Sequence, residues 1–197
     1  GLNTQVFDAT KHRALPLISD ARVGLEELSI NLGKWAAPAA WTKAAQSGFA
    51  AWMKTAGKYT DASNVERPAD SQVIGAVQRA LGRDISVLCA SGGLPGELHK
   101  LWQAGPPSSY HMEYGFSCMG YEIAAGWGCA MAQEGPGGLG GMPIVMVGDG
   151  TYMMMNSDIY STVLSGHKMI VVVCDNGGYA VISRLQQFKG VPGFNNL

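Results

Sequence analysis

Residues 143–179 read PIVMVGDGTYMMMNSDIYSTVLSGHKMIVVVCDNGGY. An apolar run, Ile144 to Val147, ends in Gly148-Asp149-Gly150. A helical segment follows, in which Ile159 and Val163 stand one turn apart and Gly166 is placed to stop it. A second apolar run, Met169 to Cys174, ends in Asp175-Asn176-Gly177-Gly178. Strand, helix and strand in so short a span predict a βαβ unit. Its crossover is expected to be right-handed and its strands parallel. Parallel strands point the same way, so both polar turns emerge at the carboxyl edge of the sheet, where open α/β sheets bind ligands. The topology therefore sets Asp149 beside Asn176. An anionic carboxylate and a neutral amide oxygen suit a hard divalent cation, and Mg²⁺ takes about six oxygens, usually shared with substrate phosphates. The Gly178 carbonyl offers a third protein oxygen. The glycines around these residues permit close backbone approach and positive φ.

The composition fits this reading. The chain has 197 residues, enough for one good core or for one domain with part of another. Its 27 glycines are about twice the usual share of roughly 7%. With 47% hydrophobic residues, that excess points to tight turns rather than disorder. Fourteen basic and 15 acidic residues nearly cancel, and no basic stripe is present, which argues against nucleic acid as a partner. The cysteines, at 89, 118, 129 and 174, form no C-x-x-C pair. Cys89 and Cys174 fall in predicted strands and read as buried thiols, so a reducing cytoplasm is expected. No apolar run is long enough to span a membrane and no secretory leader is visible. The first and last residues carry no clear terminal element, so the sequence reads as a piece of a larger polypeptide.

Taken in order, residues 1–19 offer Phe7, Leu15, Leu17 and Ile18 as strand residues. Asp20 is placed to cap a helix through Val23, Leu28 and Leu32, closed by Gly33. Pro38 starts a second helix, with Trp41, Phe49, Trp52 and Met53 near helical spacing for packing and Gly57 at its end. Lys58 to Arg67 reads as a polar linker. A new domain begins at Pro68, with Asp70 or Ser71 capping a helix on which Val73, Val77 and Leu81 share a face. Ile85 to Cys89 is the first strand of the new sheet. The Gly-rich turn after it, Ala90 to Gly96, lies on the same edge as Asp149 and Asn176. Its amides and the Ser91 hydroxyl suit a phosphate, although a plain βα turn has the same local sequence. Glu97 to Trp102 is a short helix. Tyr110 to Gly115 reads as a polar loop, whose His111 and Glu113 are either an acid–base pair or ordinary polar residues. Met119, Ile123, Trp127 and Met131 mark a helix whose Gly120, Gly126 and Gly128 imply close packing. Glu134 to Gly141 is a glycine-rich connection. Val181 to Phe188 is helical, and Arg184 is the strong anion-binding side chain near the site.

The GDG turn, a helix-length spacer and an Asn-containing turn resemble the thiamine diphosphate motif of the decarboxylase and acetolactate synthase superfamily. That resemblance implies that Asp149, Asn176 and the Gly178 carbonyl hold Mg²⁺ on the cofactor's diphosphate and that Thr151 touches the diphosphate. The usual Asn-Asn is Asp175-Asn176 here, which keeps the liganding residue. The segments SDARVGLEEL, ASGGLPGELHKLW, YHMEYGFSCMGYEIAAGWG, VMVGDGTYMMMNSDI and SRLQQ resemble, more narrowly, the family of trihydroxycyclohexane-dione hydrolases of myo-inositol catabolism. Gly177 stands where many superfamily members carry a larger residue.

The resemblance implies an α/β fold: a parallel-sheet diphosphate-binding domain with helices on both faces. It implies residues 1–33 as the tail of a middle domain, 34–67 as a helical linker and 68–197 as the diphosphate- and Mg²⁺-binding domain. Ser91, Gly92, Ser117, Met119, Gly148, Asp149, Gly150, Thr151, Asn176 and Tyr179 are the implied cofactor contacts. Met119 matches the residue that props the cofactor in its bent form, and the Ser117 carbonyl matches the acceptor for its exocyclic amine. The implied activity is cleavage of the bond between the carbonyls of a cyclic 1,2-dione, giving 5-deoxy-glucuronate. It would take place in a homodimer or homotetramer whose activating glutamate comes from a domain not in this sequence. An acetolactate synthase-like carboligase or a 2-oxoacid decarboxylase is the nearer rival. A non-catalytic nucleotide-binding module is the more distant one, and the lack of a G-x-G-x-x-G after a first strand and of a Walker lysine motif weighs against it.

Overall fold

Apolar runs punctuated by glycine turns build a layered α/β structure. The computed structural model describes residues 1–61, 66–134 and 141–196. It divides into two compact units, Gly1–Trp52 and Met53–Leu197. The parts of the expected linker at 62–65 and of the glycine-rich connection at 135–140 lie outside the described residues.

In the first unit, β1 (Leu2–Asn3) is followed by α1 (Phe7–Lys11), β2 (Leu17–Ile18) and α2 (Ala21–Leu32). β1 and β2 pair in parallel, so Leu17 and Ile18 are strand residues, whereas Phe7 opens a helix and Leu15 belongs to no element. Asp20 caps α2 as expected, accepting the Arg22 and Val23 amides at 3.0 and 3.2 Å. Gly33 closes α2 at φ 56°. α3 (Ala39–Thr60) runs through Gly57 instead of stopping there, because a lone glycine costs a helix only about 1 kcal/mol relative to alanine. Trp41, Phe49 and Trp52, expected to pack, are exposed. The division between the units falls inside α3, between Trp52 and Met53.

The second unit continues with α4 (Asp70–Leu81), β3 (Val87–Cys89), α5 (Gly93–Leu101), β4 (Tyr110–Met112) and α6 (Tyr121–Glu134). It then runs through β5 (Ile144–Gly148), α7 (Asp149–Met155), α8 (Asp158–Leu164), β6 (Ile170–Cys174) and α9 (Ala180–Phe188). Neither Asp70 nor Ser71 caps α4. Ala69 is the N-cap, and its amide donates to Gln72 Oε1 at 2.9 Å. Residues 110–112, read as loop, form an edge strand parallel to β3. The helix expected at Glu97 starts earlier, at Gly93, with Gly92 at φ 100° as its N-cap after the turn through Ala90 and Ser91. The helix expected between the two apolar runs is two helices, α7 and α8, separated at Asn156–Ser157. Consequently Val163 is exposed, and the inward position on α8 belongs to Thr162.

The sheet order is β4-β3-β5-β6, all parallel. Burial on both faces explains why β5 reads as an unbroken apolar run. Ile144 and Met146 point into a core with Ile74, Leu94 and Leu98 of α4 and α5. Val145 and Val147 point the other way, against Ile123 of α6 and Ile159, as the period of two requires. Gly126 lets α6 lie against the sheet, since a Cβ there would overlap Val145 and come within 2.9 Å of the Met169 sulfur. The chain moves from β3 outward to β4 and then back past β3 to β5. The strand order therefore reverses between β3 and β5, and this switch point opens a crevice at the carboxyl edge.

Candidate cofactor site

The two turns beyond β5 and β6 are tied together through Asp149. Its Oδ2 accepts the Gly178 amide at 2.6 Å, and its Oδ1 accepts the Asn176 amide at 3.4 Å. Gly177 and Gly178 have φ of 79° and 124°, which only glycine adopts without strain. The Asp175 carboxylate folds back onto the Gly177 amide at 3.0 Å. Asp149 thus orients the second turn while keeping acceptor capacity, because a carboxylate offers about four lone-pair sites. The Tyr179 ring lies over Gly150, where a Cβ would come within 2.7 Å of it. The second glycine of GDG is therefore demanded by packing.

The third turn follows β3. Ser91, Gly92 and Gly93 lead into α5, and the Ser91 amide donates to Glu122 Oε1 of α6 at 3.0 Å. The fourth piece is the loop before α6. Glu113 holds it by accepting the Phe116 and Cys118 amides at 2.9 and 2.7 Å. Those amides hold the Glu113 carboxyl below its usual range. Ser117 sits at φ 53° and donates to the Ser91 hydroxyl at 3.4 Å. Gly120, at φ 93°, receives Met155 of α7 so closely that no Cβ would fit.

These pieces line one cleft of about 270 Å³. Ser91, Gly92, Ser117 and Met119 line it together with Gly148, Asp149, Gly150 and Thr151. Asn176, Gly178 and Tyr179 complete it. The structure therefore brings all the expected cofactor and metal residues into one place. His111 and Glu113 are not in the lining: His111 belongs to edge strand β4 and Glu113 braces its own loop. Arg184 does not line the cleft either. Its guanidinium stands against Gly93, 2.8 Å from where a Cβ would be. There it faces Asp70, whose carboxyl is pushed up by burial and pulled down by that arginine.

Sequence reading missed the first residues of α9 and the carboxyl of Glu122. Ala180, Val181 and Ile182 open α9 and line the cleft, so the N-termini of α5 and α9 both border it. Glu122 is 1% exposed, and its Oε2 has no hydrogen-bond partner among the described residues. Burial pushes its carboxyl up, opposed by the amides of Ser91, Glu122 itself, Gly120 and Ala90. No sequence signal marks it beyond a charge in the first turn of a mostly apolar helix.

Fold and cleft define a parallel α/β cofactor-binding domain with its site at the switch point. Residues 90–195 match the family model described as the thiamine pyrophosphate enzyme C-terminal TPP-binding domain, and the chain belongs to that family. It is 31% identical to a 3D-(3,5/4)-trihydroxycyclohexane-1,2-dione hydrolase of Clostridium tetani, an alignment covering 98% of this chain and 33% of the relative. A protein of the same name from Geobacillus thermodenitrificans is also 31% identical, with 98% and 33% covered. One from Bacillus anthracis is 36% identical over 70% of this chain and 20% of its own length. The chain spans about a third of the length of the first two relatives.

The residues present fit a diphosphate. Gly148 has an ordinary φ of −74° and nothing within 4 Å of a Cβ built on it. Protein packing does not ask for glycine there, so the missing side chain leaves that part of the cleft open. Gly92, also in the lining, has open space where a Cβ would stand, but its φ of 100° by itself favours glycine. Among the described residues no group of three or more His, Cys, Asp and Glu could hold a metal. A metal here would depend on the mixed oxygen set of Asp149, Asn176 and the Gly178 carbonyl. Also among the described residues, no helix is long and apolar enough to cross a membrane.

Proposed function

We propose that this chain forms the diphosphate- and Mg²⁺-holding part of a thiamine diphosphate-dependent hydrolase that opens a cyclic 1,2-dione, as the names of its relatives suggest. The observation that carries the reading is the convergence of Asp149, Asn176 and Gly178 with the Ser91–Gly93 turn on one cleft at the sheet's switch point. Asp149 supplies the metal's anionic ligand, and Asn176 and the Gly178 carbonyl supply neutral oxygens, a donor set that suits Mg²⁺ shared with phosphates. The amides opening α5 and α9 face the diphosphate, whose charge suits the positive ends of those helices. Thr151, in the cleft lining, would touch it. Met119 supports the cofactor's middle, and the Ser117 carbonyl receives its exocyclic amine.

When bound, thiamine diphosphate supplies a carbon nucleophile for the dione carbonyl and an electron sink for the C–C cleavage. The protein's part is to bind, orient and neutralise. In the whole protein, a homodimer or homotetramer, the activating glutamate comes from a segment outside these residues. His111 and Glu113 have no place in the cleft lining and receive no step here. The test is product analysis of the full protein with thiamine diphosphate, Mg²⁺ and either 3D-(3,5/4)-trihydroxycyclohexane-1,2-dione or pyruvate. Ring-opened acid from the dione supports the reading. Acetolactate or acetaldehyde from pyruvate, with the dione untouched, overturns it in favour of a carboligase or decarboxylase.

A further inference from the structure

We infer that Glu122 is a positioning residue for the diphosphate turn: its buried carboxyl fixes Ser91–Gly93 relative to the loop that carries Ser117 and Met119. The inference rests on the cofactor reading above and deepens it.

A carboxyl at the second position of α6, 1% exposed, is costly unless it is hydrogen-bonded, and an apolar residue would fill the place more cheaply. What the carboxyl does is reach across to a different element. Oε1 takes the Ser91 amide, 31 positions away in sequence, at 3.0 Å. A second link runs beside it, from the Ser117 hydroxyl to the Ser91 hydroxyl at 3.4 Å. Both linked segments turn through positive φ: Ser117 is a non-glycine residue at φ 53°, where side-chain-bearing residues are uncommon, and Gly92 sits at φ 100°, which glycine adopts freely. Both also line the cleft, whereas Glu122 does not. The carboxyl therefore lies behind the lining and sets the gap between the turn that would meet the diphosphate and the loop that would support the rest of the cofactor. The second oxygen, Oε2, is buried without a hydrogen-bond partner among the described residues, and the amides of Gly120 and Ala90, one in each linked segment, also favour the charged carboxyl.

The test titrates thiamine diphosphate with Mg²⁺ into the full protein as wild type, Glu122→Gln and Glu122→Leu, and follows amide exchange at Ser91 in the same samples. Glu122→Leu keeps the bulk but removes the acceptor. It is expected to lose Ser91 protection and to weaken binding by on the order of 10–100-fold, the range seen when a support behind a ligand group is removed. Glu122→Gln keeps an acceptor for Ser91 and is expected to retain most of both. A folded Glu122→Leu protein with wild-type affinity overturns the inference, and so does Glu122→Gln falling as far as Glu122→Leu. If Glu122→Leu does not fold, the wild type decides. Ligand must slow exchange at Ser91 together with Gly92 and Gly93, and a Ser91 amide indifferent to ligand overturns the inference. Absence of saturable binding by the folded wild type overturns the cofactor reading itself, and this inference with it.

Discussion

Gly148 separates a ligand's requirement from a fold's. Its φ of −74° suits any residue, and no atom lies within 4 Å of where a Cβ would stand. Gly148→Ala should therefore leave the melting temperature unchanged or raise it, since such a change stabilises by about 0.4–1 kcal/mol through the unfolded chain. Thiamine diphosphate affinity should fall by on the order of tenfold or more, equivalent to at least about 1.4 kcal/mol. Paired calorimetric and thermal-melt measurements check both. Glu113 gives a pH prediction. Its folded pKa is lowered from an ordinary 4.5 by the Phe116 and Cys118 amides. The stabilisation it lends the loop is thus fully present above that value and is lost as pH falls through the lower folded pKa. The Phe116 and Cys118 amide NMR signals should titrate together in that acid range. In Glu113→Gln that titration should be absent.

At the scale of elements, Gly126 decides how closely α6 approaches β5. Gly126→Ala would drive a methyl into Val145 and Met169, and such overpacking costs about 1–3 kcal/mol. Urea denaturation should show a lower midpoint with an unchanged slope. The βαβ core was legible because the apolar runs Ile144–Val147 and Met169–Cys174 are of strand length and each ends in a polar, glycine-containing turn. That the expected residues share one cleft was legible for the same reason: most of them sit in those turns. What was not legible depends on tertiary partners. The separation of α7 from α8 at Asn156–Ser157 has no proline or glycine to announce it. β4 is three residues long and becomes a strand only by pairing with β3. Glu122 shows its role only once Ser91, far away in sequence, is brought to it.

At the scale of the whole molecule, the chain carries the TPP-binding domain of its family and about a third of the length of its relatives. The four thiols report on that domain's integrity without any ligand. Cys118 is exposed, whereas Cys89 and Cys174 are buried and their pKa values are pushed up to about 11, chiefly by burial. At a pH of about 8 they hold little thiolate, the reactive form. A thiol reagent followed by peptide mass mapping should label Cys118 first. Cys89 and Cys174 should react only after unfolding.

The proposed function stands or falls with Asp149 as the anchor of a metal-bridged diphosphate. The most direct measurement is calorimetric titration of thiamine diphosphate into the full protein, with and without Mg²⁺, in the wild type and in Asp149→Ala. Saturable binding that requires Mg²⁺ and disappears in a folded Asp149→Ala protein is the expected result. A unit charge pair at about 4 Å is worth roughly 4 kcal/mol at an effective dielectric of about 20, so the loss should be unmistakable. Retained Mg²⁺-dependent affinity in Asp149→Ala would contradict the assignment of this cleft.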